Sequence, residues 1–274
     1  MPANSTEPDT LVLGSSGHLG AAICSFSGAQ TVSRLKDNSS IAGASLSRKL
    51  DGRAVVVAAS QVPVPHDGHP SFLANLKILN PLLDASPEYV CYLSSDAVYP
   101  FDREVTETTE LGPSTAYARM HLMRERALID HFEQRLLIVR LSQVYGAGDR
   151  HNAYGPMQML RTAISRGTIT LFGQGEERRD HIYVDDAAQA IVALLKKRHT
   201  GLVNVALGHS VTFAEVCRTV SLFVPANVEH EPRQQSVTHR DININTLRNV
   251  IPAFAPRDLK AGLSETFQRM STHE

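Results

Sequence analysis

The chain of 274 residues has no tryptophan and only three cysteines, Cys24, Cys91 and Cys217. An odd, scattered set with no CxxC and no Cys/His ligand spacing excludes a disulfide framework and a structural zinc, so each reads as a small core residue in its apolar run. Charge of one sign is also lacking: Lys plus Arg total 27 against 28 Asp plus Glu, a formal net charge of -1. No bulk field exists to hold a nucleic acid or an acidic membrane, and neither is expected as a partner. The longest basic cluster, Lys196-Lys197-Arg198-His199, ends the apolar run of Ile191, Val192, Leu194 and Leu195 and suits the exposed carbonyls of a helix C-terminus. No run approaches the roughly 18 apolar residues of a membrane span. The opening MPANSTEPDT has neither the positive start nor the apolar stretch of a secretory signal, so a soluble, cytoplasmic protein is expected. The 12 histidines include no HExxH and no metal-ligand spacing, and no metal is expected. His66, His69, His151, His209, His230 and His239 fall in expected loops as solvated side chains.

What the sequence does have is an alternation of short apolar, β-branched runs with helical patterns. Strands are expected at Thr10–Leu13, Gln30–Ser33, Ala54–Ala58, Tyr89–Leu93, Leu136–Leu141 and Leu202–Ala206, with helices such as Gly20–Phe26, Ser71–Leu83, Ala118–His131 and Ala187–Lys197 between them. Continuous rather than alternating apolar strands are covered on both faces, which predicts an α/β fold with a Rossmann-type doubly wound parallel sheet. Residues 8–146 plus 183–206 are assigned to that domain. Residues 147–182 plus 207–274, richer in Pro, Arg and turn residues, break the rhythm and are assigned to a smaller C-terminal substrate-binding lobe over the sheet's carboxyl edge, where ligands bind in such folds.

The first strand runs into Gly14-Ser15-Ser16-Gly17-His18-Leu19-Gly20. In a strand-to-helix turn, Gly14 permits the bend, Gly17 lets the backbone approach a pyrophosphate, Gly20 lets the helix pack on the strand, and the helix N-terminus favours the anion. Gly14, Ser16, Gly17, His18, Leu19 and Gly20 are therefore expected to bind a dinucleotide, with Ala58 at the end of the third strand. The second strand ends in Ser33-Arg34, where an acidic residue would hold a ribose diol. A hydroxyl and a guanidinium suit a 2′-phosphate better, which favours NADP over NAD.

The fourth strand delivers Tyr92-Leu93-Ser94-Ser95-Asp96-Ala97-Val98-Tyr99-Pro100 to the same edge, and Tyr117 and His121 follow on one helix face. A Tyr and a Ser converging on one oxygen can exchange its proton while a cofactor takes or gives hydride. Such a pair needs a depressed tyrosine pKa, since phenol near ~10 is a poor base at neutral pH.

These motifs, with RLSQVYGAGDR at Arg140–Arg150, GQGEERRDHIYVDDAAQAI at Gly173–Ile191 and GLVNVALGHSVTFAEV at Gly201–Val216, make the chain resemble the extended short-chain dehydrogenase/reductase family. The likeness is to its NAD(P)-dependent sugar-nucleotide epimerase, dehydratase and reductase branch, and it covers nearly the whole chain. The resemblance implies Ser95 as the hydroxyl that polarises the substrate oxygen, Tyr117 as acid/base, Asp96 and Gln143 beside the substrate, and Arg179 on the diphosphate of a nucleotide sugar. It also implies a homodimer formed through helices including that of Tyr117. Asp186 is expected to cap the helix after it, and Asp180 to accept structural hydrogen bonds.

One departure bears on chemistry. The family's Tyr-x-x-x-Lys has His121 in the lysine place. That lysine hydrogen-bonds the nicotinamide ribose and lowers the tyrosine pKa by its charge. His121 can donate to a ribose hydroxyl, and so stays in the catalytic and cofactor-binding sets, but is mostly neutral at pH 7. Gln143 stands where many relatives place an Asn. Ala97 stands where the dehydratases carry a Glu, so elimination lacks its base. The expected activity is NAD(P)-dependent epimerisation of a sugar nucleotide through a keto sugar. A keto-sugar reductase using NADPH and a non-catalytic dinucleotide-binding regulator are the alternatives. Met120 and Met123 are expected in the core, as are Tyr145 and Tyr154 unless they border the substrate.

Overall fold

The computed structural model describes residues 10–32, 40–101, 104–151 and 154–272. In chain order, Thr10–Leu13 (β1), His18–Ser27 (α1), Gln30–Val32 (β2), Ser40–Leu50 (α2), Ala54–Val57 (β3), Pro70–Lys77 (α3), Asn80–Leu83 (α4), Tyr89–Ser95 (β4), Ala116–Phe132 (α5) and Leu136–Leu141 (β5) come first. Gln143–Tyr145 (β6), Pro156–Arg166 (α6), Thr168–Phe172 (β7), Arg178–Tyr183 (β8), Val184–Lys196 (α7), Gly201–Val205 (β9), Ser210–Thr212 (β10), Phe213–Ser221 (α8), Asn227–Glu231 (β11), Asn245–Val250 (α9) and Leu259–Ser271 (α10) follow.

The main sheet has the order β2-β1-β3-β4-β5-β9. β1 pairs in parallel with β2 and with β3, and β3 in parallel with β4. This is the Rossmann-type arrangement. Every residue of β3 and β5 is buried, as the continuous apolar runs require of strands covered on both faces. On one face Leu11, Leu13, Val55, Val57, Tyr92 and Ile138 meet Leu46 and Leu50 of α2, Leu82 of α4, and Leu128 and Phe132 of α5. The free thiols of Cys91 and Cys217 are buried, and Cys24 is half-buried.

The chain folds into two compact units. One takes in residues up to Pro100, Glu110–Arg140 and Ala188–Val203; the other has Phe101–Thr109, Leu141–Ala187 and the chain from Asn204 onward. In the second unit β8 lies between β6, its parallel neighbour, and β10, which runs antiparallel, while β7 pairs in parallel with β11. Thr212 and Glu215 form a reciprocal capping box at the start of α8.

Two expectations need correction. Ser71–Leu83 is not one helix: α3 ends at Lys77 and α4 begins at Asn80, since Pro81 lacks the N–H a continuing helix needs. The later part of the chain carries β6, β7, β8, β10 and β11. Its strands run three to six residues and include charged ones such as Arg-Arg-Asp-His in β8, so they carry no apolar run to read. Met123 is 47% exposed, whereas Met120 is fully buried. Among the described residues no helix is long and apolar enough to cross a membrane.

Candidate active site

The turn after β1 is built around missing side chains. Gly14 sits at φ +88, and a Cβ there would lie 2.7 Å from the Ala59 backbone at the end of β3. A Cβ on Gly20 would lie 2.3 Å from the Gly14 carbonyl oxygen, which accepts from the Gly17 N–H at 3.0 Å. Gly17 is the N-cap of α1 and puts no side chain over it. The result is a backbone cradle at a helix N-terminus, suited to a pyrophosphate. Ser16 and Gly17 are exposed, His18 and Leu19 are half-buried, and Ala58 joins the turn by donating its N–H to the Leu13 carbonyl. The residues present thus fit a dinucleotide. Ser33 and Arg34 lie outside the described residues.

β4 ends in Ser95, whose Oγ accepts from the Ala97 N–H at 3.2 Å and caps a short 3-10 turn at Asp96–Val98. Tyr117 is the second residue of α5, which starts where Thr115 accepts from the Ala118 N–H at 3.1 Å. Val64, Phe72, Ala116 and Met120 pack beside it. Its phenol lies close enough to Ser95 for the two side chains to interact. Burial raises the Tyr117 pKa above the ordinary tyrosine value; the interaction with Ser95 lowers it, Asp96 raises it and Arg124 lowers it.

His121 is 3% exposed and packs edge-on against the Tyr117 ring at 4.6 Å between centroids. Burial, with Arg124 adding to it, pushes its pKa down to about 3, so the ring is neutral. Its Nδ1 lies 2.6 Å from the Tyr92 hydroxyl, while Nε2 is buried with no hydrogen-bond partner among the described residues.

Two neighbours of the site go unmarked by any motif. Tyr92 looks like one more apolar strand residue, although it shares a sheet face with Ser94, two residues on, and both reach α5, at His121 and Glu125. Arg124 looks like an ordinary helix arginine, although it lies seven residues after Tyr117 and so on the same helix face. Arg124 is 1% exposed; its Nε donates to the Asn75 carbonyl at 2.9 Å and both terminal nitrogens to the Ala59 carbonyl at 3.1 Å. Next to it on α5, Glu125 accepts from the Ser94 hydroxyl at 2.5 Å and receives two bonds from Arg140, at 3.1 and 2.7 Å.

Gln143 and Arg179 belong to the second unit. Gln143 is half-buried and paired in register with His181. The Arg179 guanidinium donates to the Thr238 carbonyl and hydroxyl, at 2.8 and 2.7 Å, and lies 4.9 Å from the Phe101 ring centroid. Asp180 is buried and accepts from the Leu207, Gly208 and His209 N–H groups. Asp186 is not a cap: it lies within the first turn of α7 and accepts from the N–H and guanidinium of Arg257. Tyr145 is buried and Tyr154 packs on Phe213. His69, expected to be solvated, caps α3 by accepting from the Ser71 N–H. Among the described residues no group of three His, Cys, Asp or Glu side chains could hold a metal ion.

The sequence profile of the NAD dependent epimerase/dehydratase family matches residues 10–206. Over 193 residues the chain is 28% identical to an uncharacterized UDP-glucose epimerase of Bacillus subtilis (strain 168), covering 65% of this chain and 60% of that protein. Over 153 residues it is 29% identical to a dTDP-4-dehydro-6-deoxy-D-allose reductase of Streptomyces bikiniensis, covering 53% of this chain and 46% of that one. The chain thus spans about half to 60% of the length of these curated relatives. Among solved structures, MoeE5 in complex with UDP-glucose and NAD superposes with a TM-score of 0.82 at 20% identity, over 97% of this chain and 99% of that chain. At that identity the likeness is one of fold.

Proposed function

The chain belongs to the NAD dependent epimerase/dehydratase family, and from that premise we propose that it is an epimerase of a nucleotide sugar, working by hydride transfer through a keto sugar. The observation that carries this reading is the Ser95–Tyr117 pair, whose side chains interact within the unit that also holds the glycine cradle. Gly14, Ser16, Gly17, His18, Leu19, Gly20 and Ala58 hold the dinucleotide, with Ser33 and Arg34 turning the preference toward NADP. When bound, it supplies the hydride acceptor and donor. Ser95 donates a hydrogen bond to the reacting sugar oxygen; Tyr117 removes its proton on oxidation and returns it on reduction. His121 presents its Nε2–H to a ribose hydroxyl. Asp96 and Gln143 border the sugar and Arg179 binds the diphosphate, where a planar guanidinium fork matches phosphate oxygens. Self-association through α5 belongs to the same reading, supported by the exposed Met123 and Ile129 on that helix.

A second reading, a keto-sugar reductase using NADPH, is favoured by one observation. Tyr117 has a raised pKa beside a neutral His121, so it begins protonated, as reduction requires and oxidation does not. The third, a dinucleotide-binding regulator without turnover, rests on the absent lysine alone. One experiment separates them: cofactor carried through purification is identified, and turnover is followed on a panel of UDP- and dTDP-sugars and their 4-keto forms. Epimerisation without net cofactor consumption supports the first reading, stoichiometric loss of NADPH the second, and binding without product the third.

A further inference from the structure

The face of α5 that carries Tyr117 and His121 continues to Arg124, positions i, i+4 and i+7 of one helix. His121 brings no charge there. Arg124 does: a guanidinium stays protonated at any pH the protein survives. It is 1% exposed, and its direct bonds are to the Asn75 and Ala59 carbonyls, neutral acceptors that leave its charge uncancelled by contact. The nearest buried carboxylate on α5, Glu125, is paired with Arg140.

The guanidinium lies 5.7 Å from the Tyr92 ring centroid, and its charge opposes the rise that burial imposes on that phenol's pKa. Tyr92, itself buried with its pKa raised, keeps its proton and has Nδ1 of His121 within 2.6 Å to receive it. An imidazole that accepts at Nδ1 carries its hydrogen on Nε2. That nitrogen is buried and without a partner among the described residues, on a ring in edge contact with Tyr117. Arg124, Tyr92 and His121 thus adjoin one another in that order, and the series ends beside the tyrosine.

We propose that Arg124 supplies the permanent positive charge for Tyr117 that a lysine at position 121 would otherwise bring, with Tyr92 as the positioning residue that fixes the proton of His121 on Nε2. The inference rests on the catalytic reading above. Among the described residues the groups that act on Tyr117 are few. Ser95 and Arg124 favour the phenolate, Asp96 and burial oppose it, and His121 and Tyr92 are neutral. Arg124 is the one permanent cation among them.

The test is a tyrosine titration. The full chain, labelled with 13C at tyrosine Cζ, is followed from pH 7 upward, and the Tyr117 signal is assigned by its loss in Tyr117→Phe. Arg124→Met should raise the Tyr117 pKa by about one unit, the lower end of what one nearby charge does, and Arg124→Lys should bring it back. Folded Arg124→Met with an unchanged Tyr117 titration overturns the proposal. Should Arg124→Met fail to fold, 15N spectra of His121 decide. Hydrogen on Nε2 in the unmodified protein, lost as a single tautomer in Tyr92→Phe, supports it. Hydrogen on Nδ1 in the unmodified protein, or no change in Tyr92→Phe, overturns it. Failure of the catalytic reading looks different: the titration behaves as stated, but no nucleotide sugar is turned over.

Discussion

Tyr92 and His121 share a buried hydrogen bond of 2.6 Å, and it decides what His121 can do. With Nδ1 engaged and its pKa driven down to about 3, the imidazole is neutral rather than a cation, and in the tautomer proposed above it donates through Nε2. On the proposed reading the two roles of the family's lysine are thereby separated: hydrogen bonding falls to His121, and charge comes from elsewhere.

Oxidation should accordingly be slow at neutral pH. Tyr117 must lose a proton before it can take one from a sugar hydroxyl, and its pKa is raised mainly by burial. The oxidative rate should climb toward alkaline pH, while reduction, which begins with Tyr117 protonated, should fall there. Stopped-flow pH profiles of both directions check this. His121→Lys should move the alkaline limb of oxidation to lower pH; an unmoved limb with cofactor affinity intact would mean that charge at position 121 does not govern Tyr117.

Gly20→Ala should damage the cradle. The new Cβ would meet the Gly14 carbonyl oxygen at 2.3 Å, backbone against backbone, with no flexible side chain to yield. A loss of about 1–3 kcal/mol in stability is expected, together with weakened dinucleotide binding, measured by denaturant unfolding and calorimetry.

Much of this was legible in the sequence, for a physical reason. β1, β3, β4 and β5 are buried on both faces, so they appear as unbroken apolar runs, and the glycine turn appears as a spacing. The last four residues of β8 are buried as well, but in a different alphabet. Asp180 is 2% exposed yet satisfied by three N–H groups from the segment after β9, a pairing distant in sequence. Arg124 is hidden for the same reason: a lone arginine on a helix is usually solvated, and only the Asn75 and Ala59 carbonyls make its burial tolerable.

Glu125→Gln should destabilise the first unit without touching the reacting groups. Glu125 and Arg140 have side chains 1% and 4% exposed and are 2.7 Å apart, and removing one charge strands the other. A cost of about 3–5 kcal/mol is expected in urea unfolding.

Cofactor choice should follow Ser33 and Arg34. NADPH is expected to bind more tightly than NADH, with Arg34→Ala narrowing the gap by about 1–2 kcal/mol, the scale of a charge-assisted hydrogen bond. Calorimetry on both proteins measures it, and equal dissociation constants in the unmodified protein would contradict it.

Ser95 and Tyr117 hold the central place: they are proposed to move a proton at a nucleotide-sugar oxygen beside a dinucleotide held by the glycine cradle. Turnover of a nucleotide-sugar panel by the unmodified protein and by Tyr117→Phe, with cofactor binding measured in both, tests this most directly. The expected result is conversion of at least one nucleotide sugar, slowed about 100-fold or more in Tyr117→Phe with dinucleotide affinity retained. A variant as active as the unmodified protein, or tight dinucleotide binding with no conversion of any nucleotide sugar, would contradict it.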